Sequence, residues 1–195
     1  MKFRTNVSVI DQYSSSNISK IAFFLLGIIL LSVSSKVSIP FYPVPMTFQT
    51  FVVYFIAASM GMIGFYSTLS YVILGLMGLP IFAAGGGIGY VMSPTFGFLY
   101  GMILASLAIA YFSKDLFNKK IIKVAVAVFV GALITFACGI IHLAGFIGIE
   151  KAVMAGLMPF IYSELLKIAL AIFAVYLLIK KNYSGITFST TPLLL

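Results

Sequence analysis

The sequence predicts an all-α integral membrane protein, a bundle of six transmembrane helices, and three observations carry that prediction. The first is composition: of 195 residues, 62% are hydrophobic and only 8% charged, with a mean hydropathy of +1.18. A water-soluble domain of this size could not cover so much apolar surface. The second is segment length, since several apolar runs approach the roughly 20 residues that cross a bilayer core, where a helix satisfies its own backbone hydrogen bonds. The third is punctuation by proline and glycine, which divides the apolar sequence into spans at 18–35, 46–62, 64–78, 95–112, 121–142 and 160–179.

Span one follows a polar stretch containing Asp11, Ser14, Ser15, Ser16 and Asn17, with no small-residue cleavage pattern behind it. It reads as a retained helix preceded by a cytoplasmic tail, 1–17, and not as a secretory signal. Spans two and three are separated only by Gly61, Met62, Ile63 and Gly64, without a polar turn. Their combined length of about 33 residues exceeds one crossing. The membrane domain is expected to occupy 18–181, followed by a C-terminal tail, 182–195.

Six spans put both termini on one side. Lys2, Arg4, Lys20, Lys114, Lys119, Lys120, Lys123, Lys180 and Lys181 fall on that side, against Lys36, Lys151 and Lys167 opposite. The positive-inside bias then places both termini in the cytoplasm of a cell whose plasma membrane the chain crosses. The net charge of +8 therefore reflects topology. Nucleic acid is not an expected partner, because the basic residues flank spans and do not line a polar face with aromatic platforms. One cysteine, Cys138, excludes an internal disulfide.

Two connections stand out. Ser38-Ile39-Pro40-Phe41-Tyr42-Pro43-Val44-Pro45-Met46-Thr47-Phe48-Gln49 holds three prolines that cannot continue a helix, giving a stiff extended segment: a lid or a rigid connector. Residues 79–94 are uncharged, bounded by Pro80 and Pro94, and carry Gly85, Gly86, Gly87 and Gly89. Such a loop brings backbone groups close to a ligand and flexes. It lacks the lysine of a phosphate-binding loop and is better read as a cover.

Ionisable groups inside spans are costly, about 2.5 kcal/mol or more at the bilayer centre, so they mark function. Glu164 and Lys167 share one helical face at i,i+3. Facing the bundle they offer one ligand an acceptor and a donor; facing the interface they are a snorkelling ion pair. Gln49, one turn into span two beside Thr47, is either a ligand contact or an interhelical hydrogen bond. His142 and Cys138 lie at i,i+4, but nothing elsewhere completes a metal site, so His142 is expected to pack. No catalytic constellation converges, and an enzyme is not expected. Polar groups gather at one end of the spans, favouring a dead-ended pocket over a channel.

The ordered set formed by residues 39–49, 71–82, the glycine loop, Ser93-Pro94-Thr95-Phe96-Gly97-Phe98-Leu99-Tyr100-Gly101 and 156–167 resembles the BioY family, the biotin-specific substrate-binding (S) subunits of energy-coupling factor (ECF) transporters. This resemblance implies a six-helix fold holding biotin near the outer surface, roofed by the first and third loops. It implies no cofactor beyond biotin as the transported ligand. It also implies partners, a transmembrane coupling subunit and two ATP-binding cassette ATPases, and tilting of the S subunit to release the vitamin inward. An S subunit for another vitamin, such as thiamine or riboflavin, is the alternative.

Carried over by position, Gln49, Gly85, Gly86, Gly87, Glu164 and Lys167 are the implied substrate-binding residues. Glu164 replaces the family's usual aspartate, the glycine loop lacks an asparagine found in some members, and Phe96-Gly97-Phe98 stands for the usual Gly-Gly-Tyr. The turn between spans two and three also lacks the basic residues often found there. Small residues on the cytoplasmic half of the first span, Ala22 and Gly27, are the implied contacts with the coupling subunit, although Leu26 interrupts the small-residue pattern.

Overall fold

A computed structural model describes residues 16–113 and 121–187, with side chains of the last helix described through Lys180. Seven α-helices occur in it: α1 (Asn17–Lys36), α2 (Gln49–Met60), α3 (Met62–Leu76), α4 (Phe96–Phe112), α5 (Ile121–Ile147), α6 (Ile149–Gly156) and α7 (Ile161–Thr187). Lys2, Arg4, Lys114, Lys119 and Lys120, on which the topology reading leans, lie outside the described residues.

α2 is the central helix. It packs against α1, α3, α4, α5 and α7, and from Val52 to Met60 every residue but Phe55 is buried, as a helix that is apolar on all sides should be. Leu31, Val53, Ile56, Tyr71, Ile109, Val128 and Val175 form one continuous core around it, while Val44, Phe98, Leu143, Ala152 and Phe160 make a second cluster at the loop end. On α7 the buried positions Glu164, Lys167, Ala171 and Val175 recur at helical spacing. The two charges therefore sit on the stripe that faces the bundle.

Several expected boundaries move. Span two does not begin at 46: Met46–Thr47 form a short strand, β2, pairing antiparallel with β1 (Ser38–Ile39), and α2 starts only at Gln49. Three prolines between the strands leave a hairpin as the way to satisfy backbone groups there. α2 and α3 are indeed two helices, parted at Gly61, whose φ of 60° suits glycine. α5 runs five residues beyond the expected 142, to Ile147. The eight-residue α6, with Glu150 in its first turn, was not expected, because it is too short to register as a span.

Among the described residues, three helical segments are long and apolar enough to cross a membrane: Asn17–Lys36, Ile121–Ile147 and the run Ile149–Lys180. α2, α3 and α4 are apolar but have 12, 15 and 17 residues. At about 1.5 Å per residue they fall short of a hydrocarbon core about 30 Å thick. What the fold gives directly is an all-α, multi-pass membrane bundle.

Gly27 is a correction. It is buried against α3, where a Cβ would collide with Ser67, and Ser67 Oγ donates to the Phe24 carbonyl across the same contact at 3.0 Å. A residue closing an internal helix crossing is not available to a coupling subunit. Ala22 is exposed.

The loop after α3 is anchored. Phe82 is fully buried and packs edge-on to Tyr71 and tilted against Tyr90, with its ring where a Cβ on Gly75 would fall. Two residues at the end of α1 hold its backbone: Ser35 Oγ donates to the Ile81 carbonyl and Lys36 Nζ to the Phe82 carbonyl, each at 2.6 Å. Gly75→Ala is expected to expel the Phe82 ring and destabilise the fold by about 1–3 kcal/mol. An unchanged thermal unfolding midpoint would contradict this account of the anchor.

Candidate functional site

A cavity of about 540 Å³, counting the part open to solvent, lies between α2, α4, α5, α7 and the two loops. Its apolar wall comes from Val44, Phe98, Leu99, Met102, Phe136 and Phe160. Thr47, Gln49, Thr50, Glu164 and Lys167 supply a compact polar wall, and Ala83, Tyr90 and Thr95 contribute from the glycine loop and the turn after it. Its lining has the character of a small-molecule site: largely apolar, with a few placed polar groups.

Within the polar wall, Thr50, Glu164 and Lys167 form one hydrogen-bonded unit. Lys167 Nζ donates to Glu164 Oε2 at 3.0 Å and to Thr50 Oγ1 at 3.2 Å. Thr50 Oγ1 in turn donates to Glu164 Oε2 at 3.0 Å. From α2, Tyr54 donates to Glu164 Oε1 at 2.7 Å. Glu164 and Lys167 are 4% and 6% exposed, which decides between the two readings of their position: this is a buried pair on the cavity wall and not an interfacial bridge. Isolated charges could not persist at that depth, and mutual pairing with hydroxyl donors is what makes the burial tolerable.

Gln49, the residue before Thr50, is also buried. Its Nε2 donates to Tyr71 OH at 2.8 Å, and that phenol donates to the Ile81 carbonyl at 2.9 Å. Gln49 is thus both an interhelical link and part of the cavity wall. Its Oε1 has no protein partner among the described residues.

The three loop glycines do not line the cavity in this structure. Gly85 and Gly87 adopt φ of 118° and 101°, and Gly86 is pressed against the Leu79 carbonyl, leaving no room for a Cβ. Their geometry serves the tight return of the loop, and Ala83 and Tyr90 on either side reach the cavity instead. His142 packs among Phe96, Tyr100 and Phe146, with Nε2 3.2 Å from the Ser93 carbonyl. Among the described residues no group of three or more His, Cys, Asp or Glu converges.

Sequence reasoning missed Thr50 and Tyr54. A threonine and a tyrosine spaced i,i+4 behind Gln49 form a polar ridge on a helix otherwise apolar. That ridge was the available signal.

A helical membrane bundle with a partly roofed cavity and a buried donor–acceptor pair defines a small-molecule capture protein. The family model described as "BioY family" matches residues 6–184, and the chain belongs to that family. A probable biotin transporter BioY from Pyrococcus horikoshii is 34% identical over 78% of this chain and 91% of its own length. The biotin transporter BioY from Thermotoga maritima is 36% identical over 73% of this chain and 85% of its own. The solved S-component for biotin from an ECF-type ABC transporter superposes with a TM-score of 0.76 at 20% identity, covering 86% of this chain and 95% of that one. This likeness establishes the shared fold.

Proposed function

We propose that this chain is the biotin-capturing S subunit of an ECF transporter, presenting the vitamin to partner subunits for ATP-driven uptake. The observation that carries the reading is the Glu164–Lys167 pair on the wall of an otherwise apolar cavity, in a chain of the BioY family. Biotin has an apolar sulfur-containing bicycle, a ureido group with two N–H donors and one carbonyl, and a valeryl carboxylate. With Oε2 already holding two donors and Oε1 one, Glu164 retains acceptor capacity on Oε1 for a ureido N–H. Lys167 makes two of its three possible donations within the protein. The third serves the ureido oxygen or the ligand carboxylate. Gln49 Oε1 is a second acceptor on the same wall.

The chain supplies binding and no catalytic step. Transport energy comes from two ATP-binding cassette subunits acting through a transmembrane coupling subunit. The chain crosses the membrane six times, the short helices α2, α3 and α4 completing their crossings with the flanking turns, and both termini are cytoplasmic. Cysteine-accessibility labelling tests the orientation: a cysteine replacing Lys119 or Lys181 is expected to be protected from an impermeant reagent applied outside, and outside labelling at either position defeats it. Binding of radiolabelled biotin to the purified protein, challenged with unlabelled biotin, thiamine and riboflavin, tests the ligand. Displacement by biotin alone is expected, and displacement by thiamine or riboflavin assigns the cavity to another vitamin.

A further inference from the structure

Glu164 is gripped from two sides, and the two sides differ. Thr50 and Lys167, which hold Oε2, both line the cavity. Tyr54, which holds Oε1 at 2.7 Å, does not; it is fully buried, and its phenol reaches the carboxylate from the protein interior. The terminal torsion of a glutamate is broad and roughly two-fold. Two donors converging on Oε2 leave the carboxylate free to swing Oε1 about that oxygen, and a third donor behind Oε1 removes this freedom. An ionised carboxylate has about four lone-pair sites. Three are occupied here, so the remaining one is on Oε1 and its direction is set by Tyr54.

The geometry points to Tyr54 as a positioning residue that fixes Glu164 so that a single acceptor site on Oε1 faces one ligand N–H. It touches no ligand and acts through Glu164. This assignment rests on the reading that Glu164 receives a ureido N–H, and it adds that preorganisation of the acceptor contributes to affinity. The bland alternative is that the phenol only ties α2 to α7, in which case its loss would affect stability but not the geometry at Oε1.

A double-mutant cycle on the purified full-length chain separates these. Biotin affinity is measured for wild type, Tyr54→Phe, Glu164→Gln and the double variant, with monodispersity and thermal unfolding recorded for each. Tyr54→Phe removes one oxygen from a packed ring and is expected to weaken biotin about 5- to 30-fold in the wild-type background, but less than about twofold when Glu164 is already glutamine. Equal effects of Tyr54→Phe in both backgrounds, or no effect in the first, overturn the positioning role. If instead Glu164→Gln binds biotin like wild type, the ureido reading itself fails, and that result is distinguishable because it does not involve Tyr54. A second readout needs no folded Tyr54 variant. The infrared difference spectrum of biotin-bound minus free wild-type protein is expected to contain a tyrosine C–O band that changes with a carboxylate band, both lost in Glu164→Gln. A carboxylate change without its tyrosine companion also overturns the proposal.

Discussion

Replacing Glu164 by glutamine is expected to weaken biotin binding about 10- to 150-fold, the equivalent of losing one charge-assisted hydrogen bond. The network around the residue keeps its hydrogen bonds, so the fold should be retained, at a cost in stability from the buried Lys167 ammonium left without its counter-charge. With the amide oxygen in the Oε2 position, Thr50 and Lys167 keep an acceptor, and the amide nitrogen at the Oε1 position can donate to the Tyr54 oxygen in place of receiving from it. The cavity sees the opposite change. The acceptor site on Oε1 becomes an N–H donor, which meets a ureido N–H donor to donor. Isothermal titration of biotin into monodisperse variant protein checks this, and affinity within about threefold of wild type would remove Glu164 from the ligand contacts.

The helical bundle was legible from composition and segment length because burial in lipid leaves no other way to satisfy the backbone. α1, α4 and α5 begin within a residue of where the apolar runs place them. The start of α2 was not legible, since Met46 and Thr47 suit a helix as well as a strand and only pairing with Ser38 and Ile39 decides. The pairing of Glu164 with Lys167 could be read from i,i+3 spacing, but its burial could not. Which face of a helix turns inward depends on Thr50 and Tyr54, 114 and 110 residues away from Glu164. Among 11 tyrosines and 19 phenylalanines, Tyr54 looks like packing until its hydroxyl is seen to end on a carboxylate. In the glycine loop, the positive φ of Gly85 and Gly87 and the close approach of Gly86 to the Leu79 carbonyl serve the return of the loop around the Phe82 anchor, a geometric role that the sequence alone did not show. Gly27 looked like an external contact and is an internal crossing.

Lys167→Met is expected to produce the largest loss of stability, and comparison with the double variant separates structure from binding. Methionine keeps most of the stem and removes the ammonium, leaving Glu164 with two hydroxyl donors but no cation in a site where it is 4% exposed. Breaking a buried pair from one side costs about 3–5 kcal/mol. Biotin binding should fall as well, since the donor facing the ligand is gone. Adding Glu164→Gln to Lys167→Met removes the orphaned charge, so the double variant should recover most of the lost stability, a neutral pair of similar volume being tolerated where a lone charge is not. It should not recover binding, because the cavity wall then lacks both the anionic acceptor and the cationic donor. Thermal unfolding in detergent alongside biotin titration of the two variants reads both quantities. If Lys167→Met unfolds at the wild-type temperature, the pair is solvated and not buried as described; if the double variant regains biotin affinity along with stability, the pair belongs to the scaffold and the ligand is held elsewhere on the wall.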